Sequence, residues 1–275
     1  MIKARNLVLA YVAALLICVL GGLWISNGYV GVHFSNYEGG FERLNDVECF
    51  SSTEPGCRFK LPANKTYNLL LGDSEAISIS DLFKSELGSN SYVRALTACS
   101  FIPENIVRDS MNENCRILNS NSLREISKKT CKNVFIFNRF RPESDSEKAS
   151  YFDFVRKIAK SCRSLTVIGA PTDLTLRFNA YSNMVMKTAI NSPRVFNKAD
   201  FDPESIRWNN TLANFIIRQN LYNVNYINTH KLVLTSFPTS LKNFDGEYTY
   251  TDSTHLSKYG GEIVMAEIRR LQRNS

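Results

Sequence analysis

The chain has 275 residues, 44% hydrophobic and 21% charged, which is apolar enough for a full core and excludes an intrinsically disordered chain. Its formal net charge is +7. On an exported protein that surplus suits anionic lipid headgroups or acidic glycans, or only keeps the surface soluble, and it does not point to nucleic acid.

The first element is apolar. Residues 7–25 hold no charged side chain and are long enough to cross a bilayer as a helix, and Lys3 and Arg5 precede them. The positive-inside tendency keeps those cations in the cytosol and exports the rest. A cleavable signal peptide shares the charged start and apolar centre, but no Ala-x-Ala follows the apolar run. The expected layout is a cytosolic N-terminus (1–6), a single transmembrane anchor (7–27), an extracytoplasmic spacer (28–65) and a catalytic domain (66–275). That layout places the chain in the cytoplasmic membrane, with its domain in the periplasm or an equivalent extracytoplasmic space.

Cysteine usage agrees with export. Cys18 lies in the apolar run, leaving Cys49, Cys57, Cys99, Cys115, Cys131 and Cys162, an even set that suits disulfides. The connectivity stays open at this point. Cys49 with Cys57 would close a short loop around Pro55-Gly56, Cys99 with Cys115 would staple the segment after a second strand, and Cys131 and Cys162 each precede a strand-like run. There is no Cys-x-x-Cys and no cysteine near a histidine, so neither a metal site nor a cofactor is expected.

From Tyr67 onward strands and helices alternate. Apolar runs at 68–71, 92–96, 134–137, 165–168 and 224–227 have strand length, and the first, third and fourth are continuously apolar, as buried parallel strands are. Asp202-Pro203-Glu204 opens a helix with Trp208, Leu212, Phe215 and Ile216 on one face. A last helix carries Val264, Ile268 and Leu271 on one stripe. This alternation predicts an α/β fold, a doubly wound and mostly parallel sheet, with ligands outside the carboxyl ends of the strands. The less periodic segment 171–199 is expected at the pocket rim.

Two short segments carry the chemistry. Gly72-Asp73-Ser74 follows Leu69-Leu70-Leu71, and Asp252-Ser253-Thr254-His255 lies near the C-terminus. A serine hydroxyl needs a hydrogen-bonded imidazole to take its proton, and the imidazole needs a group that fixes its tautomer. Ser74, His255 and Asp252 have those chemistries, and an Asp three residues before a His reaches the near ring nitrogen within one turn. Gly-Asp-Ser alone is ordinary turn composition; Asp-x-x-His shortly before a final helix, in a chain with three histidines, makes the pairing specific. His33, after the apolar run, reads as interfacial, and His230 as a surface residue at a strand end.

Leu71-Gly72-Asp73-Ser74 with Asp252-Ser253-Thr254-His255-Leu256-Ser257 and Gly260 resembles the SGNH hydrolase superfamily. More narrowly it is similar to the SGNH domains fused to membrane acyltransferases (acyltransferase 3 family) that O-acetylate surface glycans. The segment 96–103 resembles the Cys-Pro-rich segment of those domains, with Cys115 where the partner of Cys99 would be, and 134–140 resembles their strand ending in Arg-Trp. The resemblance implies a flavodoxin-like fold over about residues 66–275, with Ser74 as nucleophile, His255 as base, Asp252 as its orienter and the Ser74 N–H in the oxyanion hole. Gly88 and Asn138 are the positional candidates for the other oxyanion donors, with Asp73, Glu75 and Arg139 as neighbours. Glu75 stands where the fused members often carry His. Only one span replaces their many, which implies a separate multi-span partner supplying the acyl group.

The expected function is a membrane-tethered, extracytoplasmic serine acyltransferase or esterase that moves an acyl group, acetyl first of all, to or from cell-envelope carbohydrate. Two other classes stay open on sequence: a non-catalytic glycan-binding or assembly module, and an envelope lipase.

Overall fold

The computed structural model describes residues 67–106, 113–128, 131–174, 201–236, 249–250 and 254–273. The expected anchor, the spacer with Cys49 and Cys57, most of the expected rim and Asp252 lie outside these residues. Among the described residues no helix is long and apolar enough to cross a membrane.

Five strands form one sheet: β1 (Tyr67–Gly72), β2 (Ser91–Ala95), β3 (Cys131–Phe137), β4 (Ser164–Ile168) and β5 (Val224–Ile227). Their order is β2-β1-β3-β4-β5 and every pairing is parallel. The chain starts at β1, steps to β2 on one side, and then crosses back to add β3, β4 and β5 on the other. The direction of winding therefore reverses between β1 and β3, the crevice where doubly wound sheets of this flavodoxin-like order bind ligands.

Burial explains the continuous apolar runs. Leu69, Leu70 and Leu71 are all fully buried, because helices cover both faces of the sheet. Leu69, Leu71, Val134, Ile136, Leu165 and Val167 join one core with residues of α3 (Glu113–Ser127), α4 (Asp145–Ser161) and α5 (Pro203–Arg218). On the opposite face, Phe83 of α2 (Ser80–Leu87) meets Phe135 edge-on at 5.1 Å. α2 also packs on α7 (Lys258–Arg273), as does α6 (Thr229–Ser236).

The expected helix start at 202–204 is present: Asp202 caps α5 by accepting from the N–H groups of Glu204 and Ser205, and Pro203 is the first helical residue. Trp208, Leu212, Phe215 and Ile216 are buried beneath it, as are Val264 and Ile268 of α7. His230 differs from expectation. It sits half-buried in α6, edge-on to Phe201 at 5.3 Å.

A disulfide joins Cys99 to Cys115 and ties the segment after β2 to α3. The expectation for Cys162 needs correction. It stands just before β4, beside the start of β3 as expected, but it carries a thiol and not a disulfide. Its Sγ donates to the Ile158 carbonyl at 3.3 Å, in the last turn of α4.

Candidate active site

β1 ends at a glycine for a steric reason. A Cβ on Gly72 would lie 1.9 Å from the Phe137 carbonyl oxygen of β3, so only glycine lets the strand end this close to its neighbour. Asp73 follows as N-cap of the short helix α1 (Ser74–Ser78), its Oδ1 accepting from the Glu75 N–H at 3.1 Å. Ser74 thus occupies the first helical position, at the carboxyl edge of the sheet beside the crevice. The N–H groups of a first helical turn have no intrahelical partner, so the helix leaves the Ser74 N–H without an acceptor of its own.

Asp73 is 3% exposed and fastens three segments. Besides the Glu75 N–H, it accepts from the Ser100 hydroxyl at 2.7 Å and from the Arg139 N–H at 2.9 Å, both on Oδ2. Burial raises its pKa above the ordinary value of 3.8, while those hydrogen bonds and the nearby His255 oppose the rise. The Ser100 segment is itself held. Asn119 donates to the Ser100 carbonyl at 3.0 Å, and the disulfide joins the adjacent Cys99 to α3.

The histidine arrives from a separate loop. Tyr250 and Leu256 form an antiparallel bridge, and the Ser257 N–H donates to the Thr249 carbonyl at 2.9 Å. Gly260, in the first turn of α7, permits this closeness, because a Cβ there would lie 2.2 Å from the Thr249 oxygen. His255 is half-exposed, with its Nε2 3.0 Å from the Ser74 Oγ and its Nδ1 3.0 Å from the Thr254 Oγ1. The first distance lies within the reach of a general base for a hydroxyl proton.

Ser74 and His255, 181 positions apart, are therefore brought together. Asp252 lies outside the described residues. Glu75 is fully buried beside the serine and acts electrostatically on Arg139 and Tyr250.

Gly88 is not at this site. It caps the far end of α2, donating to the Lys84 carbonyl at 3.1 Å and accepting from the Ser91 N–H at 3.0 Å, at the amino edge of β2. Its N–H is thus committed at the opposite edge of the sheet from Ser74. Asn138 is nearer but also engaged: its amide accepts from the Phe101 N–H at 3.0 Å and donates to the Phe101 carbonyl at 2.7 Å. Both ends of that amide brace the segment after β2. Arg139 contributes its backbone N–H to Asp73 and its guanidinium to Asp173 at 3.0 Å.

Three contributors are hardly legible in the sequence. Ser100 has one weak signal, its place beside Cys99. Asn119 and Asp173 have none, since each acts across a fold contact. Among the described residues no cluster of His, Cys, Asp and Glu is arranged to hold a metal ion.

No curated protein sequence matches the chain. Among solved structures, it is similar to the periplasmic domain of a Salmonella ser. Paratyphi A lipopolysaccharide acetyltransferase, with a TM-score of 0.63 and 16% identity over 86% of this chain and 95% of that one. A mutant of an acetyl-xylooligosaccharide esterase from Geobacillus stearothermophilus aligns with a TM-score of 0.47 and 10% identity, over 74% of this chain and 93% of that one. The family model for the SGNH domain fused to AT3 domains matches residues 44–270, and with the sheet order and the serine at the end of β1 it establishes that the chain belongs to this SGNH family and is an SGNH-fold enzyme.

Proposed function

We propose that this chain is a serine acyltransferase or esterase that moves an acyl group, acetyl in the first instance, to or from cell-envelope carbohydrate through an acyl-serine. The observation that carries the reading is the 3.0 Å approach of the His255 Nε2 to the Ser74 Oγ at the carboxyl edge of β1. Membership of a family fused to membrane acyltransferase domains supports the transferase and the glycan. The likeness to a lipopolysaccharide acetyltransferase domain adds support for an extracytoplasmic address.

The chemistry follows from the two side chains. With Nδ1 protonated and held by Thr254, Nε2 takes the Ser74 proton as Oγ attacks the ester carbonyl carbon. Asp252 is proposed as the second group on Nδ1. The negative charge forming on the carbonyl oxygen meets the Ser74 N–H and the positive end of α1; each preorganised donor of this kind is worth about 3 kcal/mol of barrier. The imidazolium then protonates the departing alkoxide, leaving the acyl group on Oγ. In the second half His255 takes a proton from the acceptor hydroxyl, whose oxygen attacks the acyl carbon, and the proton returns to Ser74. A sugar acceptor makes the reaction a transfer, and water makes it hydrolysis.

The proposed setting is a single anchor at 7–27 with the domain at 66–275 outside the cytoplasmic membrane, beside a multi-span partner that supplies the acyl group. The test is turnover of p-nitrophenyl acetate by the full-length chain in detergent, beside Ser74→Ala and His255→Ala, with and without oligosaccharide acceptors. Each substitution is expected to lower kcat by about 10⁴-fold or more, and acetylated sugar among the products marks a transferase. Turnover that survives Ser74→Ala would sink the reading.

A further inference from the structure

The segment that follows β3 lines a cleft of about 690 Å³ that the chemistry above does not use. It opens at the carboxyl ends of β3 and β4, between the first turns of α4 and α5, within the size range of small-ligand sites. Arg139 links it to Ser74, because its backbone N–H holds Asp73 while its side chain lines the cleft.

The lining combines groups of opposite charge in fixed positions. The Asp173 Oδ2 accepts from the Arg139 Nη2 at 3.0 Å and from the Arg141 Nη2 at 3.2 Å. Arg141 Nη2 also lies 2.6 Å from the Asp202 Oδ2, and its Nη1 lies 3.6 Å from the Glu204 Oε2. Asp173 holds the Arg139 guanidinium above its ordinary pKa, against the effect of burial. Arg207 and Thr211 project from the next turns of α5 along one wall.

This arrangement selects by chemistry. An anionic ligand on the row would have to draw Arg139 and Arg141 away from Asp173 and Asp202, leaving carboxylates without counter-charge in a partly enclosed site, and at Arg207 it would meet a single exposed cation. A cationic ligand meets the same difficulty with the guanidinium groups. An alkyl chain would strip water from polar groups and return no hydrogen bonds. A neutral hydroxyl donates to a carboxylate and accepts from a guanidinium at once, so it satisfies both without breaking a pair.

We infer that this cleft is the acceptor subsite for an uncharged, hydroxyl-rich saccharide, read by the Arg139, Asp173 and Arg141 row and by Arg207. The inference rests on the acyl-serine reading and narrows its substrate from carbohydrate in general to neutral sugar, despite the net charge of +7.

The test is direct binding by the full-length Ser74→Ala chain in detergent. The probes are immobilised neutral gluco-, manno-, galacto- and rhamno-oligosaccharides beside matched oligogalacturonates and phosphorylated oligosaccharides. At least one neutral probe is expected to bind more tightly than every anionic one. Arg141→Ala is expected to weaken it about 10-fold or more, and Arg207→Ala about 5-fold, at the scale of one hydrogen bond. Arg207 is exposed and has no ion-pair partner among the described residues, so its variant stays folded if Arg141→Ala does not.

Three outcomes would overturn the inference: tighter binding of an anionic probe, no binding of any neutral probe, or neutral binding that neither variant weakens. Failure of the acyl-serine reading shows separately, as ester turnover that ignores Ser74. Intact Ser74-dependent turnover without neutral-sugar binding removes the subsite alone.

Discussion

The serine and the histidine of this site are held in opposite ways. Ser74 is mounted on a central strand whose leucines are fully buried, and the adjacent Asp73 ties it to the segment after β2 and to the end of β3. His255, itself half-exposed, is mounted on a loop held by the Tyr250–Leu256 bridge, the Ser257 contact to Thr249 and the Tyr250 hydroxyl, which donates to the Thr172 carbonyl at 3.3 Å. Ser74's position is therefore set by the sheet itself, and His255's by a loop laid against it. Disturbing the first should cost stability and activity together, while disturbing the second should cost activity first.

The largest expected effect is Gly72→Val. The added carbons meet the Phe137 carbonyl, and neither backbone can yield without breaking the β1 to β3 pairing. The change should cost more than about 4 kcal/mol and lower the Tm by about 10 °C or more, or leave no folded chain. A folded, active Gly72→Val would break the comparison outright.

Cys99→Ser should come next. The disulfide spans a sequence separation of 16, for which chain entropy gives about 3 kcal/mol. Because Ser100 reaches Asp73 from the same segment, ester turnover should fall along with the urea midpoint. A Tm loss with unchanged kcat/KM would show that this segment does not position the nucleophile.

Asp73→Asn keeps the shape but turns an NH₂ toward a ring of donors, costing about 1–3 kcal/mol. It also tests a pH effect whose sign is set by burial. Since the folded protein raises the pKa of Asp73, the native state holds this proton more tightly than the unfolded chain does. The resulting stability is present below about pH 3.8 and is lost as pH rises through the higher folded value. Urea midpoints measured from pH 3 to 8 should fall less steeply over that window in Asp73→Asn than in the parent.

Gly260→Ala probes the other side and should have the smallest effect on stability. Its methyl meets the Thr249 carbonyl and shifts the loop carrying His255. Displacements of about 1 Å at a catalytic group cost up to about 100-fold in rate. Turnover should therefore drop 10-fold or more, with a Tm change of only about 2–4 °C. Equal losses of stability and activity here would erase the distinction between the two sides.

Much of the fold was legible because it is written locally. Leu69-Leu70-Leu71 had to be a strand buried on both faces, and Asp202-Pro203 had to start a helix, since one caps and the other cannot sit deeper. The pairing of Ser74 with His255 was legible for a different reason, scarcity: three histidines leave few bases to choose from. The places of Gly88 and Asn138 were not, because position along the chain is a poor guide to which group faces which neighbour. Gly88 shows this, lying 14 residues past the serine and at the other edge of the sheet.

The amino-acid sequence by itself determined the elements, their apolar faces and which serine and histidine had the chemistry to pair, all of which depend on side-chain chemistry and short-range geometry. Tertiary structure alone decided the order β2-β1-β3-β4-β5, the clasp of Asn138 on Phe101, the fastening of Asp73 by Ser100 and Arg139, and the ion-pair row lining the cleft. Each of these joins groups far apart in the chain. Such contacts form only when the sheet has brought the strand ends together, because hydrogen bonds and charge pairs act over a few ångströms of space, whatever the separation in sequence.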